Sequence, residues 1–223
     1  MAEQKNKKLP DLPAFAEEIR KLLKEQVDLP PVDTWQPERV GEIDILINRQ
    51  GEWLYQGEPM SRHAVVQLLS SILRKDGDDY FLVTPHEKLK ITVEDVPFIV
   101  QMMDVEAGQE PDADKKQLIH FSTQVGDCFT LSAEHALRVS YNEREEPAPY
   151  VHVRGGMYAR LNRSVYYELV DHLQERDASL PEDQLVRSEN PTVRSEKQIV
   201  RSEKQKPAAN ELGLWSAGKF FVF

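Results

Sequence analysis

Met60-Ser61-Arg62-His63-Ala64-Val65-Val66-Gln67-Leu68-Leu69 returns later in the chain as Leu161-Asn162-Arg163-Ser164-Val165-Tyr166-Tyr167-Glu168-Leu169-Val170. In both copies an apolar residue, a small polar residue and an arginine lead into a mostly apolar run, a single polar residue and two further apolar ones. A hairpin-like stretch precedes each. Internal repetition shapes the whole fold and is read before any local feature. It predicts an α+β protein of two repeated units, each a curved, mostly antiparallel sheet with one principal helix. A ligand would bind in the crevice where the units meet.

Working outward, Ser61 is a good N-cap for the first helix and Asn162 for the second. Val65, Leu68, Leu69 and Ile72 make one buried stripe, and Tyr166, Leu169, Val170 and Leu173 the other, so helices are expected over Ala64 to Leu73 and Val165 to Leu173, with a turn at Asp76 to Asp79 after the first. Upstream, Ile43, Ile45 and Ile47 alternate with Asp44, Leu46 and Asn48, the period of a strand with one apolar face. Arg49-Gln50-Gly51 is a turn and Glu52 to Tyr55 the return strand. Tyr80 to Thr84 and Leu89 to Val93 read as strands around Pro85-His86-Glu87-Lys88, and Phe98 to Val105 as another. Leu118 to Thr123, Cys128 to Leu131, Leu137 to Tyr141, and a hairpin turning at Gly155-Gly156 supply the second unit.

The ends differ. Pro13 to Gln26 carries an apolar stripe of Phe15, Ile19, Leu22 and Leu23, fit to pack on the body or on a partner. Leu29 to Pro37 is a Pro-rich extended arm. Val-Arg-Ser-Glu recurs at Val186, Val193 and Val200. One apolar residue per seven cannot bury enough surface to order itself, so Asp183 to Pro207 is expected to lack stable structure. Leu212 to Trp215 and Lys219 to Phe223 read as a closing hairpin that completes the second sheet. The expected organisation is a helix and arm over 1–40, a first unit over 41–106 and a second over 107–223, with a disordered insert at about 176–210.

The 28 Lys and Arg against 38 Asp and Glu give a formal net charge of −10, which opposes broad nucleic-acid binding. Cys128 is the single cysteine, so no internal disulfide can form, as suits a reducing compartment. The start shows no signal-like apolar core, and no run approaches the roughly 20 apolar residues of a membrane span. A cytoplasmic location without membrane insertion is the expectation.

No nucleophile elbow, phosphate loop or zinc-protease motif is present. The six histidines lack ligand spacing, so no metal site is expected, and no cofactor is specified. Arg62 and Arg163 stand at the two helix starts, where anions are favoured; the structural alternative is that each supports its own loop. His152 and Arg154 share one strand face beside Gly155 and Gly156, a candidate phosphate or carboxylate contact with Tyr150 next to it. Its alternative is a solvated strand face. Trp53 could stack on a base or simply fill the core. Thr84 and Lys88 occupy a polar turn that could border a site.

Gly41 to Ile45, Gly51 to Tyr55, Val83 to Lys88, Glu94 to Phe98, Pro149 to Gly156 and Gly213 to Ser216 resemble a bacterial family of unknown function, domain-of-unknown-function family 1285. The resemblance covers about Pro30 to Leu173 and the last dozen residues. It implies duplicated units loosely similar to pleckstrin-homology folds, a nucleotide-like ligand at their junction and a signalling role. The Val-Arg-Ser-Glu insert is a departure from that pattern. The leading function is ligand binding or sensing without catalysis. The alternatives are a protein-interaction adaptor working through the N-terminal helix, and a small hydrolase built around His152.

Overall fold

A computed structural model describes residues 12–23, 29–108, 117–141, 147–175, 180–187 and 212–223, apart from the side chains of Glu18, Leu22 and Leu23. The chain divides into two compact units, one of Met1–Pro97 with Gly155–Met157 and the other of Phe98–Arg154 with Tyr158–Phe223.

In the first unit, β1 (Arg39–Ile47), β2 (Trp53–Tyr55) and β3 (Glu58–Pro59) form one meander. The buried side chains of Ile43, Ile45 and Ile47 give β1 its inner face. Asn48 shapes the β1–β2 turn, because its side-chain oxygen accepts from the Gln50 and Glu52 backbone N–H groups at 3.0 and 2.9 Å. Helix α2 (His63–Ser71) follows, then a second meander of β4 (Leu73–Asp76), β5 (Asp79–Val83) and β6 (Glu87–Val93). The sheet order is β3-β2-β1-β6-β5-β4, with β1 and β6 parallel.

The second unit repeats that plan. A meander of β7 (Phe98–Glu106), β8 (Leu118–Thr123) and β9 (Cys128–Thr130) precedes one of β10 (Leu137–Tyr141), β11 (Pro147–Arg154) and β12 (Met157–Leu161). The order β9-β8-β7-β12-β11-β10 is the first sheet's order over again, with β7 and β12 as the central parallel pair. The fold is α+β with a duplicated two-domain arrangement.

The helices do not follow the duplication. Helix α2 leaves the third strand of its sheet, whereas α3 (Arg163–Asp171) leaves the sixth. Both recurrent segments are helical, but the repeat that is visible in sequence is not the one that duplicates the sheet. The caps differ too. Asn162 accepts from the Val165 N–H at 2.8 Å as expected. Ser61 does not cap α2; the N-cap is Arg62, which makes no side-chain capping bond.

Four further expectations change. Strand β7, read with the first unit, belongs to the second sheet. Leu73 to Asp76 is a strand rather than the helix end and turn, because Leu73 pairs with Leu82 and Asp76 with Asp79. The closing hairpin of β15 (Leu212–Ser216) and β16 (Lys219–Val222) does not complete the second sheet. It forms its own four-stranded sheet with β13 (Gln174–Glu175) and β14 (Leu185–Val186). Residues 180–187, placed in the insert, are ordered against it: Leu180 packs with Trp215 and Phe220, and Leu185 joins them. The rest of the Val-Arg-Ser-Glu tract, 188–211, lies outside the described residues, as do 109–116 of the inter-unit loop.

Ser216 ties this small sheet to the second unit. Its fully buried hydroxyl donates to the Leu131 carbonyl at 2.8 Å and accepts from the Ile119 N–H at 3.1 Å. Gln117 adds a bond from its side-chain amide to the Trp215 carbonyl at 2.7 Å. In the first unit, Phe15 and Ile19 bury the apolar stripe of α1 (Leu12–Leu23), which packs on α2.

Candidate functional site

In β11 the alternation is as expected. Val151 and Val153 are buried, and Tyr150, His152 and Arg154 line the half-exposed face. Gly155 and Gly156 turn the hairpin at φ 52° and 69°, which glycine adopts without steric cost. Around them the structure gathers further residues, of which Asp127, Glu134 and Arg138 carried no signal in the sequence. Arg154 forms an ion pair with Asp127 and lies 4.7 Å from the Phe98 ring centre. His152 Nδ1 is 2.9 Å from the Glu134 carbonyl and therefore donates to it. The His152 ring meets Tyr158 edge-on, with centres 5.4 Å apart. Arg138 stacks over Tyr158 at 3.8 Å and approaches Tyr150 at 5.3 Å. Arg154 thus brings its own counter-ion, and any anion there competes with Asp127.

Arg163 is exposed and donates to the Tyr167 hydroxyl, one turn along its own helix, at 3.3 and 3.4 Å. That bond raises the guanidinium's pKa.

The remaining candidates belong to the first unit. Trp53 is buried in β2 as a core side chain. Thr84 is buried, and its Oγ1 accepts from the His86 and Glu87 N–H groups at 3.3 and 3.1 Å, which sets the β5–β6 turn. Lys88 pairs with Asp76 and sits 3.8 Å over the Phe81 ring centre. Asp76 also receives Arg74 at 2.9 Å. Arg74 is itself buried and donates to the Val32 and Trp35 carbonyls, both at 2.8 Å, so it pins the Pro-rich arm to β4.

Burial pushes the Asp76 carboxyl up, but hydrogen bonds from Lys88 and Arg74, with their charges, together hold it below its ordinary value. A carboxylate depressed on folding contributes stability above its unfolded pKa of roughly 3.9, and that stability is lost as pH falls through the folded value. Asp76→Asn should therefore cost about 1 kcal/mol at neutral pH, a figure kept small by solvent screening. The cost should shrink below about pH 4. Urea unfolding at pH 7 and pH 3 reads this; a cost equal at both would show that the ion pairs contribute nothing.

A cleft of about 350 Å³ in the first unit lies between α1, the β2–β3 hairpin and the start of α2. Leu12, Pro13, Ala16, Pro59, Met60 and Val65 supply apolar walls, and Tyr55, Glu58 and Ser61 add polar ones. Arg20 and Arg62 bring two guanidinium groups, against one carboxylate. Arg62 is exposed and makes no side-chain hydrogen bond or ion pair among the described residues. Arg20 reaches Glu17 only at 3.6 Å, with both side chains about half exposed. Because α2 has no side-chain cap, its first N–H groups add to the positive end. Arg62 was legible as a helix-start cation; Arg20 was not, since only the packing of α1 on α2 places it there.

Among the described residues, no helix is long and apolar enough to cross a membrane, and no group of three metal-ligating side chains occurs. No curated protein matches the chain. A DUF1285 family protein from Silicibacter pomeroyi DSS-3, known from its crystal structure, is 34% identical, with 96% of this chain and 94% of that one covered at a TM-score of 0.72. Another, from Shewanella baltica OS155, is 28% identical over 57% of this chain and 90% of that one, with a TM-score of 0.43. The family models for the DUF1285 N-terminal and C-terminal domains, both described as of unknown function, match residues 30–96 and 97–193. They meet where the sheets divide, and the chain belongs to the DUF1285 family.

Proposed function

We propose that this protein is a ligand-binding protein, without catalysis, that holds an anionic small molecule in the cleft of its first unit. The observation that carries this is that Arg20 and Arg62 both line one largely apolar cleft on a chain of net charge −10. The volume lies in the range of small-molecule sites, roughly 300–1,000 Å³. The lining offers a single carboxylate and no histidine or cysteine, so it suits holding an anion better than turning one over. An adaptor role through α1 has less support, because the helix's apolar stripe is buried at Phe15 and Ile19.

A thermal-shift series with phosphate monoesters, nucleotides and carboxylates tests the reading. A ligand at a hundred times its Kd stabilises by about 2.7 kcal/mol, or roughly 5–10 °C for a chain of this size. Arg62→Ala should leave the apo protein's melting unchanged and weaken that ligand about tenfold to a hundredfold, as loss of a charged hydrogen bond does. No shift with any anion, or a shift indifferent to Arg62→Ala, would overturn the proposal.

A further inference from the structure

Resting on that reading, we infer that the cleft takes a single-chain amphiphile: one unbranched alkyl chain ending in a carboxylate or phosphate. The layout of α1 carries the inference. Leu12, Ala16 and Arg20 recur every fourth residue and so lie in one line along the helix. The first two are buried and the third is about half exposed. A ligand following that line meets apolar floor for two turns, roughly 12 Å at 1.5 Å per residue, and then a guanidinium. The facing wall supplies Pro59, Met60 and Val65, with Tyr55, Glu58, Ser61 and Arg62 as its polar groups, so the head group sits on the arginines and away from Glu58. A compact, highly charged anion would leave this apolar lining unused. A plain hydrocarbon would leave both arginines without a counter-ion from the ligand. The volume of about 350 Å³ suits one short chain rather than a bilayer surface or a folded partner.

The test is isothermal titration of the full chain with hexanoate, octanoate and decanoate below their micelle concentrations, with decanol as a head-group control. Decyl phosphate distinguishes the two head groups, and binding by either one fits the inference. Each added methylene should tighten binding, up to roughly fourfold at full burial. Decanol should bind at least tenfold more weakly than decanoate. Arg62→Ala should weaken every carboxylate by a similar factor. Met60→Gln, a half-exposed position where the polar side chain keeps its length, should flatten the dependence on chain length while apo melting stays as it was.

Anions that bind with no dependence on chain length would overturn this inference and leave the anion-binding proposal standing. Decanol binding as tightly as decanoate would overturn the head-group assignment, and the inference with it. Failure of every anion, nucleotides included, would remove the proposal on which it rests.

Discussion

Gly213→Ala should lower the melting temperature by roughly 6–12 °C, the equivalent of about 3 kcal/mol for a chain of this length. The reason is space. A Cβ on Gly213 would stand 2.4 Å from the Phe221 carbonyl oxygen and 2.5 and 2.7 Å from two atoms of the Phe220 ring. Neither neighbour is free to retreat. The first is backbone of the paired strand β16, and the second is a fully buried ring packed against Trp215 and Leu180. Overpacking in a closed core typically costs about 1–3 kcal/mol, and contact with backbone puts this site at the upper end. Leu212→Ala, at an exposed position one residue earlier on the same strand, is the control and should change little. Calorimetry of both variants decides the matter. A Gly213→Ala protein that melts like the parent would mean that β15 can shift away from β16 at no cost.

Arg74→Ala should cost about 3–4 kcal/mol. One guanidinium holds the Val32 and Trp35 carbonyls and the Asp76 carboxylate. Charged hydrogen bonds contribute about 1.5–3 kcal/mol each, but water can reach the carbonyls once the arm lifts, so the sum is not realised in full. The loss should be local before it is global. Amide protons of the turn over Val32–Thr34 and of Trp35 should exchange faster well before the central strands do. Arg74→Lys should recover only part of the stability, because a single ammonium cannot match the geometry of three acceptors. Unchanged exchange in the arm with a uniformly lower melting temperature would place the role of Arg74 in the core instead.

What could be read in advance follows from how local each signal is. The isoleucines of β1 announce their strand because the alternation is complete within five residues. Asn162 announces its helix because a cap and its N–H are three residues apart. Gly155-Gly156 marks its turn for the same reason. Elements that depend on distant partners stayed hidden. Leu73 to Asp76 follows the stripe of α2 without a break and becomes a strand only through β5. Strands of two residues, such as Leu185–Val186, have no period to detect. Arg154 looked available because Asp127, its counter-ion, lies 27 residues away. The cleft was half legible: Arg62 stands beside a recognisable helix start, whereas Arg20 joins it only through packing of α1. The recurrence at residues 60 and 161 pointed to duplication, yet the sheets repeat through strand order and the helices do not.

The central parallel pair in each sheet bears on the order of folding. Pairings inside a meander, such as Tyr55 with Glu58 across a two-residue turn, close locally. The pairs Ile47 with Val93 and Val100 with Leu161 join the first strand of each sheet to its last. Closing so long a segment costs on the order of 3 kcal/mol more in chain entropy than closing a two-residue turn. Local meanders can form within microseconds, but their union waits on that closure. On a ribosome, where residues emerge at roughly 5–20 per second, the first strand of each sheet keeps an unpaired edge for seconds before its parallel partner appears. That is long enough for a chaperone, or a neighbouring nascent chain, to reach it first.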